Sequence, residues 1–181
     1  MSLTIGIGQP AYSAANALVI PTNIDLILRG NHGQYILDRL GKTFQAEMYK
    51  LAPNPAYGDI ITIPAVGTDY DAVYAVVAFP YATRSVTWTQ IETYLTAAIK
   101  QAVSDGHQLV AVPLWEDSGE YNDAPYLFDL NQSLYIKGKY QQAVTTMMNV
   151  AYAIQTLDLL YMPVNPFEEI MMNNAYRSVF G

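Results

Sequence analysis

The sequence predicts an α/β fold: three layers, α/β/α, built on a mainly parallel mixed central sheet. Three observations predict it. Short apolar runs alternate along the chain with longer stretches of helical periodicity. Two of these runs, Ala72–Pro80 (AVYAVVAFP) and Leu109–Leu114 (LVAVPL), are almost continuously apolar, as a strand covered on both faces must be. The 181 residues are 51% hydrophobic and 14% charged, which supports one sizeable core and opposes disorder.

Leu3–Gly8 (LTIGIG) reads as the first strand, ending at Gln9-Pro10. Ala17–Ile20 is the second, and it breaks at Pro21-Thr22-Asn23. A polar, glycine-punctuated turn follows, Arg29-Gly30-Asn31-His32-Gly33, and then a helix over 34–51 whose apolar residues fall at spacings of three and four. Ala52-Pro53-Asn54-Pro55 ends that helix. Asp59–Pro64 is β-branched and closed by proline, a strand. After Ala72–Pro80 and the polar loop Tyr81–Trp88, Thr89-Gln90-Ile91-Glu92 fits a capping box. It opens a helix striped by Ile91, Tyr94, Leu95, Ala98 and Ala102 and stopped at Asp105-Gly106-His107. The strand Leu109–Leu114 runs into the acidic loop Trp115–Tyr121. Residues 122–138 carry no clear pattern, Tyr140–Gln155 reads as a helix, Leu157–Met162 as a strand and Phe167–Tyr176 as a short helix before a frayed end. The expected organisation is a single domain over 1–163 with a helical tail, 164–181, packed on it. No internal repeat or low-complexity linker interrupts it.

Composition narrows the function. No apolar run approaches the ~18 residues of a membrane span, and no basic segment leads into an apolar core at the N-terminus, so the expectation is a cytoplasmic protein with no membrane partner. With two histidines and no cysteine, a zinc site is not expected, nor is any cofactor. A net charge of −7 opposes nucleic acid as main partner, since neutralising phosphates takes clustered Lys and Arg. A small anion is compatible, because backbone amides bind phosphate without net positive charge. Fifteen tyrosines suit a wet aromatic contact surface, including one between copies of the chain. No nucleophile elbow, Walker loop or complete dinucleotide fingerprint is present.

In parallel sheets ligands occupy the crevice beyond the carboxyl ends of the strands. The loops leaving such ends are Pro21–Gly33, Tyr81–Trp88, Trp115–Tyr121 and Pro163–Phe167. The first is a strand, a polar loop with two glycines and a helix, which aims backbone N–H groups at an anion.

With these elements in place, the sequence resembles the macro domain family, which binds ADP-ribose and its derivatives. The family's Asn-Ala-Ala-Asn strand end corresponds to Ile20-Pro21-Thr22-Asn23, where the last asparagine is kept. Its first glycine loop is similar to Gly30-Asn31-His32-Gly33. Its second, Pro-x-x-Ser-x-Gly-x-x-Gly, is similar to Pro113–Tyr121 with a one-residue insertion and one glycine lost. Phe79-Pro80-Tyr81-Ala82-Thr83-Arg84, with Trp88 after it, resembles the branch that removes ADP-ribose from nucleic acid or acidic side chains. That branch carries a lysine where this chain has Arg84, and an arginine stays protonated and cannot act as a lysine-type nucleophile.

The resemblance implies an ADP-ribose-like small-molecule ligand and a set of site residues, each with a plainer alternative. Asn23 either contacts a ribose or caps the loop; Thr22 lies beside it. Gly30, Asn31 and Gly33 bring backbone to a diphosphate or merely permit positive φ. His32 is a surface residue or an acid–base group, and Arg84 and Arg29 pair with phosphate or are solvated. Trp115 covers the sugar or joins the core. Ser118 and Gly119 suit amide donation to phosphate and Tyr121 is a further ligand-binding candidate, whereas Glu116 and Asp117 would repel phosphate unless their side chains turn outward. Asp123 and Glu116 are the candidate bases if the chain is a hydrolase. Phe167 stacks on adenine or docks the tail. A third outcome, a structural protein that keeps the fold without the pocket, is also open.

Overall fold

Apolar runs become strands and periodic stretches become helices across the residues that the computed structural model describes: 2–5, 17–28, 37–38, 40–64, 70–79, 87–113, 130–154, 158–162 and 166–180. In chain order these are β1 (Ser2–Ile5), β2 (Ala17–Asn23), α1 (Lys42–Leu51), β3 (Ile60–Pro64), β4 (Ala72–Phe79), α2 (Trp88–Ser104), β5 (Leu109–Pro113), α3 (Leu130–Ala153), β6 (Asp158–Met162) and α4 (Pro166–Phe180). The strands form one sheet in the order β1-β6-β5-β2-β4-β3. Every neighbouring pair is parallel except β3 with β4.

The period of two along β2 and β4 decides what lies on each face. Ala17 and Val19 of β2, with Tyr74, Val76 and Ala78 of β4, join Ile91, Leu95 and Ala98 of α2, Met147 and Val150 of α3, and Met172 and Ala175 of α4. The intervening residues, Leu18 and Ile20 with Val73, Ala75 and Val77, pack against Phe44 and Met48 of α1. Among the described residues the sheet therefore separates two cores, three helices on one side and one on the other, which is the three-layer arrangement expected from the apolar runs.

Several boundaries differ from the expectations. β2 does not break at Pro21 but continues to Asn23. Among the described residues β5 pairs with β2 at Ala17 and Leu18, while β2 stays in register with β4 through Pro21. The helix expected as one run over 34–51 is divided at Gly41, whose φ of +84° cannot continue a right-handed helix. Its N–H closes the preceding turn on the Leu37 carbonyl at 2.9 Å, and α1 starts afresh at Lys42. The capping box of α2 lies two residues before the expected one. Thr87 is the N-cap, its hydroxyl accepts the Gln90 N–H at 3.1 Å, and the Gln90 side chain accepts the Thr87 N–H at 2.9 Å. α3 begins at Leu130, ten residues before the expected Tyr140, because Asn131, Ser133 and Gly138 hide its start. α4 remains helical to Phe180, where a frayed end was expected, and opens on Pro166, the first-turn position that proline favours.

The stop at Asp105-Gly106-His107 is as read. His107 N–H bonds the Ala102 carbonyl and Gly106 N–H the Val103 carbonyl, both at 3.0 Å, with Gly106 at φ +99°, a Schellman motif. Its capping residue is tied to the sheet. The fully buried Tyr74 donates its phenol O–H to Asp105 Oδ2 at 2.6 Å, while Gln101 Nε2 donates to the other carboxylate oxygen at 3.0 Å. The His107 ring meets the Tyr74 ring edge-on, centroids 6.0 Å apart. Burial, then the hydrogen bond to Asp105 and its negative charge, push the Tyr74 phenol well above the ordinary tyrosine range.

A raised phenol pKa means that the native state holds this proton where the unfolded chain has released it. The contribution is therefore complete below about pH 10 and is lost as pH rises above that value. Tyr74→Phe is expected to cost about 1 kcal/mol at neutral pH, since the exposed Asp105 regains water as partner. It should also flatten the alkaline loss of stability. Urea midpoints measured at neutral pH and above pH ~10 check both; an unchanged alkaline slope in the variant would refute the assignment.

Candidate ligand site at the strand ends

Because β2, β4, β5 and β6 are mutually parallel, their carboxyl ends, Asn23, Phe79, Pro113 and Met162, open on the same edge of the sheet. That is the edge at which α/β sheets take ligands. At its centre the ladder between β2 and β4 is irregular. Thr22 pairs with Val77 and Asn23 with Phe79, so that Ala78 is passed over. A bulge of this kind breaks the strict alternation of side chains and re-aims the residue that follows it.

Thr22 is buried, 2% exposed, and its hydroxyl lies 3.5 Å from the Asn23 carbonyl, too long for a strong bond. Asn23 is partly buried, and its Nδ2 donates to the Ile27 carbonyl at 3.0 Å. Of the two roles open to Asn23, the loop-capping one is therefore occupied by at least one of its two N–H groups. Three further bonds order the same loop. Leu26 N–H closes a turn on the Asn23 carbonyl at 2.9 Å. Ile27 N–H donates to Asp25 Oδ1 at 3.2 Å, an Asx turn. Leu28 N–H donates to Gln45 Oε1 of α1 at 3.0 Å.

Gly30, Asn31, His32, Gly33, Arg84, Trp115, Glu116, Ser118, Gly119, Tyr121 and Asp123 lie outside the described residues, and Phe167 is placed by its backbone in the first turn of α4. Sequence reasoning missed the two residues that do most to shape the described loop. Leu26 has no local signal because its conformation is set by packing. Gln45 has none because it acts across seventeen positions. The Asn-x-Asp spacing of Asn23 and Asp25 was the available cue to a side-chain-closed turn.

Among the described residues, the strand ends thus offer amides, hydroxyls and one turn-bound carboxylate. That is chemistry for recognising a polar ligand. No group of three or more metal-ligating side chains occurs among the described residues, and no described helix is long and apolar enough to cross a membrane.

Leu26 adopts φ +58° although it is not glycine, and its side chain is 1% exposed. The left-handed conformation costs about 1–2 kcal/mol, and full burial of a leucine contributes about 1.5–3 kcal/mol, so packing with Phe44 and Met48 outweighs the strain. Both Leu26→Ala and Leu26→Gly should destabilise, by about 2–4 kcal/mol. Glycine should be the better tolerated by about 1 kcal/mol, the reverse of the ordinary ranking. Chemical denaturation of the two variants decides the order, and alanine as the more stable would contradict the strain at this position.

No protein-family model and no curated protein matches the sequence. Solved structures do match the fold. A variant of the Oceanobacillus iheyensis macrodomain with ADP-ribose superposes with a TM-score of 0.73 at 10% identity, over 97% of this chain and 91% of that one. The same macrodomain with ADP gives 0.70 at 12% identity, over 97% and 90%. The macrodomain of Mycobacterium tuberculosis DarG gives 0.64 at 13% identity, over 89% and 97%. At such identities the likeness is one of architecture, and it is near-complete in length: this chain has the macro-domain fold, as the motifs in its sequence implied.

Proposed function

We propose that this protein binds ADP-ribose or a related adenine-nucleotide derivative in the crevice at the carboxyl ends of its strands. The observation that supports the reading is the macro-domain fold itself, with five parallel strands opening on one edge, shared with neighbours whose structures contain ADP-ribose and ADP. In this reading the backbone of Gly30–Gly33 approaches the diphosphate, assisted by Ser118 and Gly119. Thr22 and Asn23 wall the distal ribose, and Asn23 does so while its Nδ2 braces the loop. Arg84, Trp115, Tyr121 and Phe167 complete the lining. The ligand's negative charge is met by amides, which suits a chain whose net charge is −7.

Calorimetric titration with ADP-ribose tests the proposal. One-site binding is expected, and it should fall at least tenfold in Gly33→Phe with the melting temperature unchanged, because a side chain there would stand where the diphosphate approaches. Absence of heat at millimolar ADP-ribose, an affinity weaker than about −4 kcal/mol, would overturn it. A parallel incubation with ADP-ribosylated protein and DNA separates a binding module from a hydrolase. Release of ADP-ribose would bring Asp123 and Glu116 forward as bases to be substituted.

A further inference from the structure

We infer that Gly58 is a positioning residue for Asn23, because the turn it closes fixes the end of β4 against which Asn23 is registered. The inference rests on the ADP-ribose reading above for the identity of the ligand, and on the sheet's own ladder for the link between the two residues.

The turn lies just before β3. Asp59 N–H closes it on the Ala56 carbonyl at 3.0 Å, and Asp59 Oδ2 accepts the Ala56 N–H at 2.8 Å. Gly58, third of its four residues, has φ +90°, and Tyr57 before it has no positive φ, which is the pattern of a type II turn. The turn feeds directly into a bulge. Gly58 N–H donates to the Val77 carbonyl at 2.8 Å, and Val77 N–H donates to the Asp59 carbonyl at 2.9 Å, so two residues oppose one. A bulge of this form takes a left-handed glycine at its first position. From Ile60 opposite Val76 onward the antiparallel ladder is regular. On the other edge of β4, Ala78 is passed over by the ladder with β2, and Asn23 comes opposite Phe79. β4 is therefore irregular on both edges within two residues, Val77 and Ala78, at its carboxyl end.

Val77 couples the two edges. Its N–H and C=O are both engaged by the turn, which fixes the peptide planes that lead into Ala78. Each bulge bends its strand and adds right-handed twist, so the two together set the path of the strand end beside Asn23. That path matters because a side-chain amide recognises a hydroxyl only when it is aimed, and about 1 Å of misplacement is enough to lose the contact. Position 58 selects glycine by conformation and not by space. A Cβ there would lie 3.5 Å from Tyr94 Cε1 of α2, an ordinary contact. The positive φ is what disfavours a side chain, least of all asparagine.

Three substitutions test the link, with two readouts. The Asn23 side-chain amide resonances in ligand-free protein report its position, and calorimetry with ADP-ribose reports the consequence. Gly58→Ala should shift those resonances and weaken binding about tenfold, the factor that left-handed strain at a Cβ-bearing residue corresponds to. Gly58→Asn is larger yet tolerates the left-handed region, and it should restore both. A greater loss in Gly58→Asn than in Gly58→Ala would mean that bulk beside Tyr94 is responsible, which overturns the assignment. Asp59→Ala makes no demand on φ and removes only the side-chain bond to the Ala56 N–H. It should move the Asn23 resonances the same way by less, so the link stays testable even where Gly58→Ala does not fold. Unmoved Asn23 resonances overturn the coupling. Moved resonances with unaltered affinity overturn its role in binding. Wild-type protein that binds no ADP-ribose overturns the reading of the ligand instead, a distinguishable failure because the resonances of ligand-free protein report the coupling by themselves.

Discussion

The structure depends on one constraint: β4 must be apolar on both faces at once. Its neighbours in the sheet, β2 and β3, cover its edges, and helices cover its two faces. Val73 through Ala78 are therefore at most 2% exposed without exception. Even-numbered side chains feed the core shared with α2, α3 and α4, and odd-numbered ones feed the core shared with α1. A shift of one residue in the pairing with β2 would exchange the two sets, placing Tyr74 among the residues that pack on Phe44 and taking its phenol away from Asp105. Register, helix placement and the anchored C-terminus of α2 are thus one decision, made by the alternation of size and polarity along a single strand.

This constraint explains why the architecture could be read from the sequence. A strand buried on both faces has no freedom in composition, so AVYAVVAF and LVAVP announce central strands. The stripe through Ile91, Leu95, Ala98 and Ala102 announces a helix lying on them. Where the physics is less exclusive, the sequence misled. Pro21 ordinarily ends a strand, yet β2 runs through it to Asn23, paired with β4. Gly41 divides a helix whose apolar spacing runs unbroken across it, because periodicity reports which face is buried and is silent about φ. Residues 130–139 are helical although Asn131, Ser133 and Gly138 weaken the pattern, since α3 is long enough for its later turns, Ala143 through Val150, to supply the packing that holds it.

The candidate site was legible only in outline. Its position follows from topology, because parallel strands must present their carboxyl ends together. Asn23 is a candidate by its motif alone, and in the structure one of its amide N–H groups holds the loop's own backbone. Neither a motif nor a period announces Gln45 or the conformation of Leu26. Both are consequences of α1 settling on the sheet, a contact between segments far apart in sequence.

The order of dependence at the strand end therefore runs from the core outward. Burial of Leu26 and Leu28 against Phe44 and Met48 places the loop and sustains a left-handed leucine. The polar bonds of Asn23, Asp25 and Gln45 then select one backbone path from those the packing permits. Removing a polar bond leaves the apolar scaffold in place, whereas removing the apolar contact removes both. A chain built this way can retain its fold while its binding surface diverges. That is consistent with motifs as altered as Ile20-Pro21-Thr22-Asn23 sitting on an architecture that still superposes with macrodomains over 97% of its length.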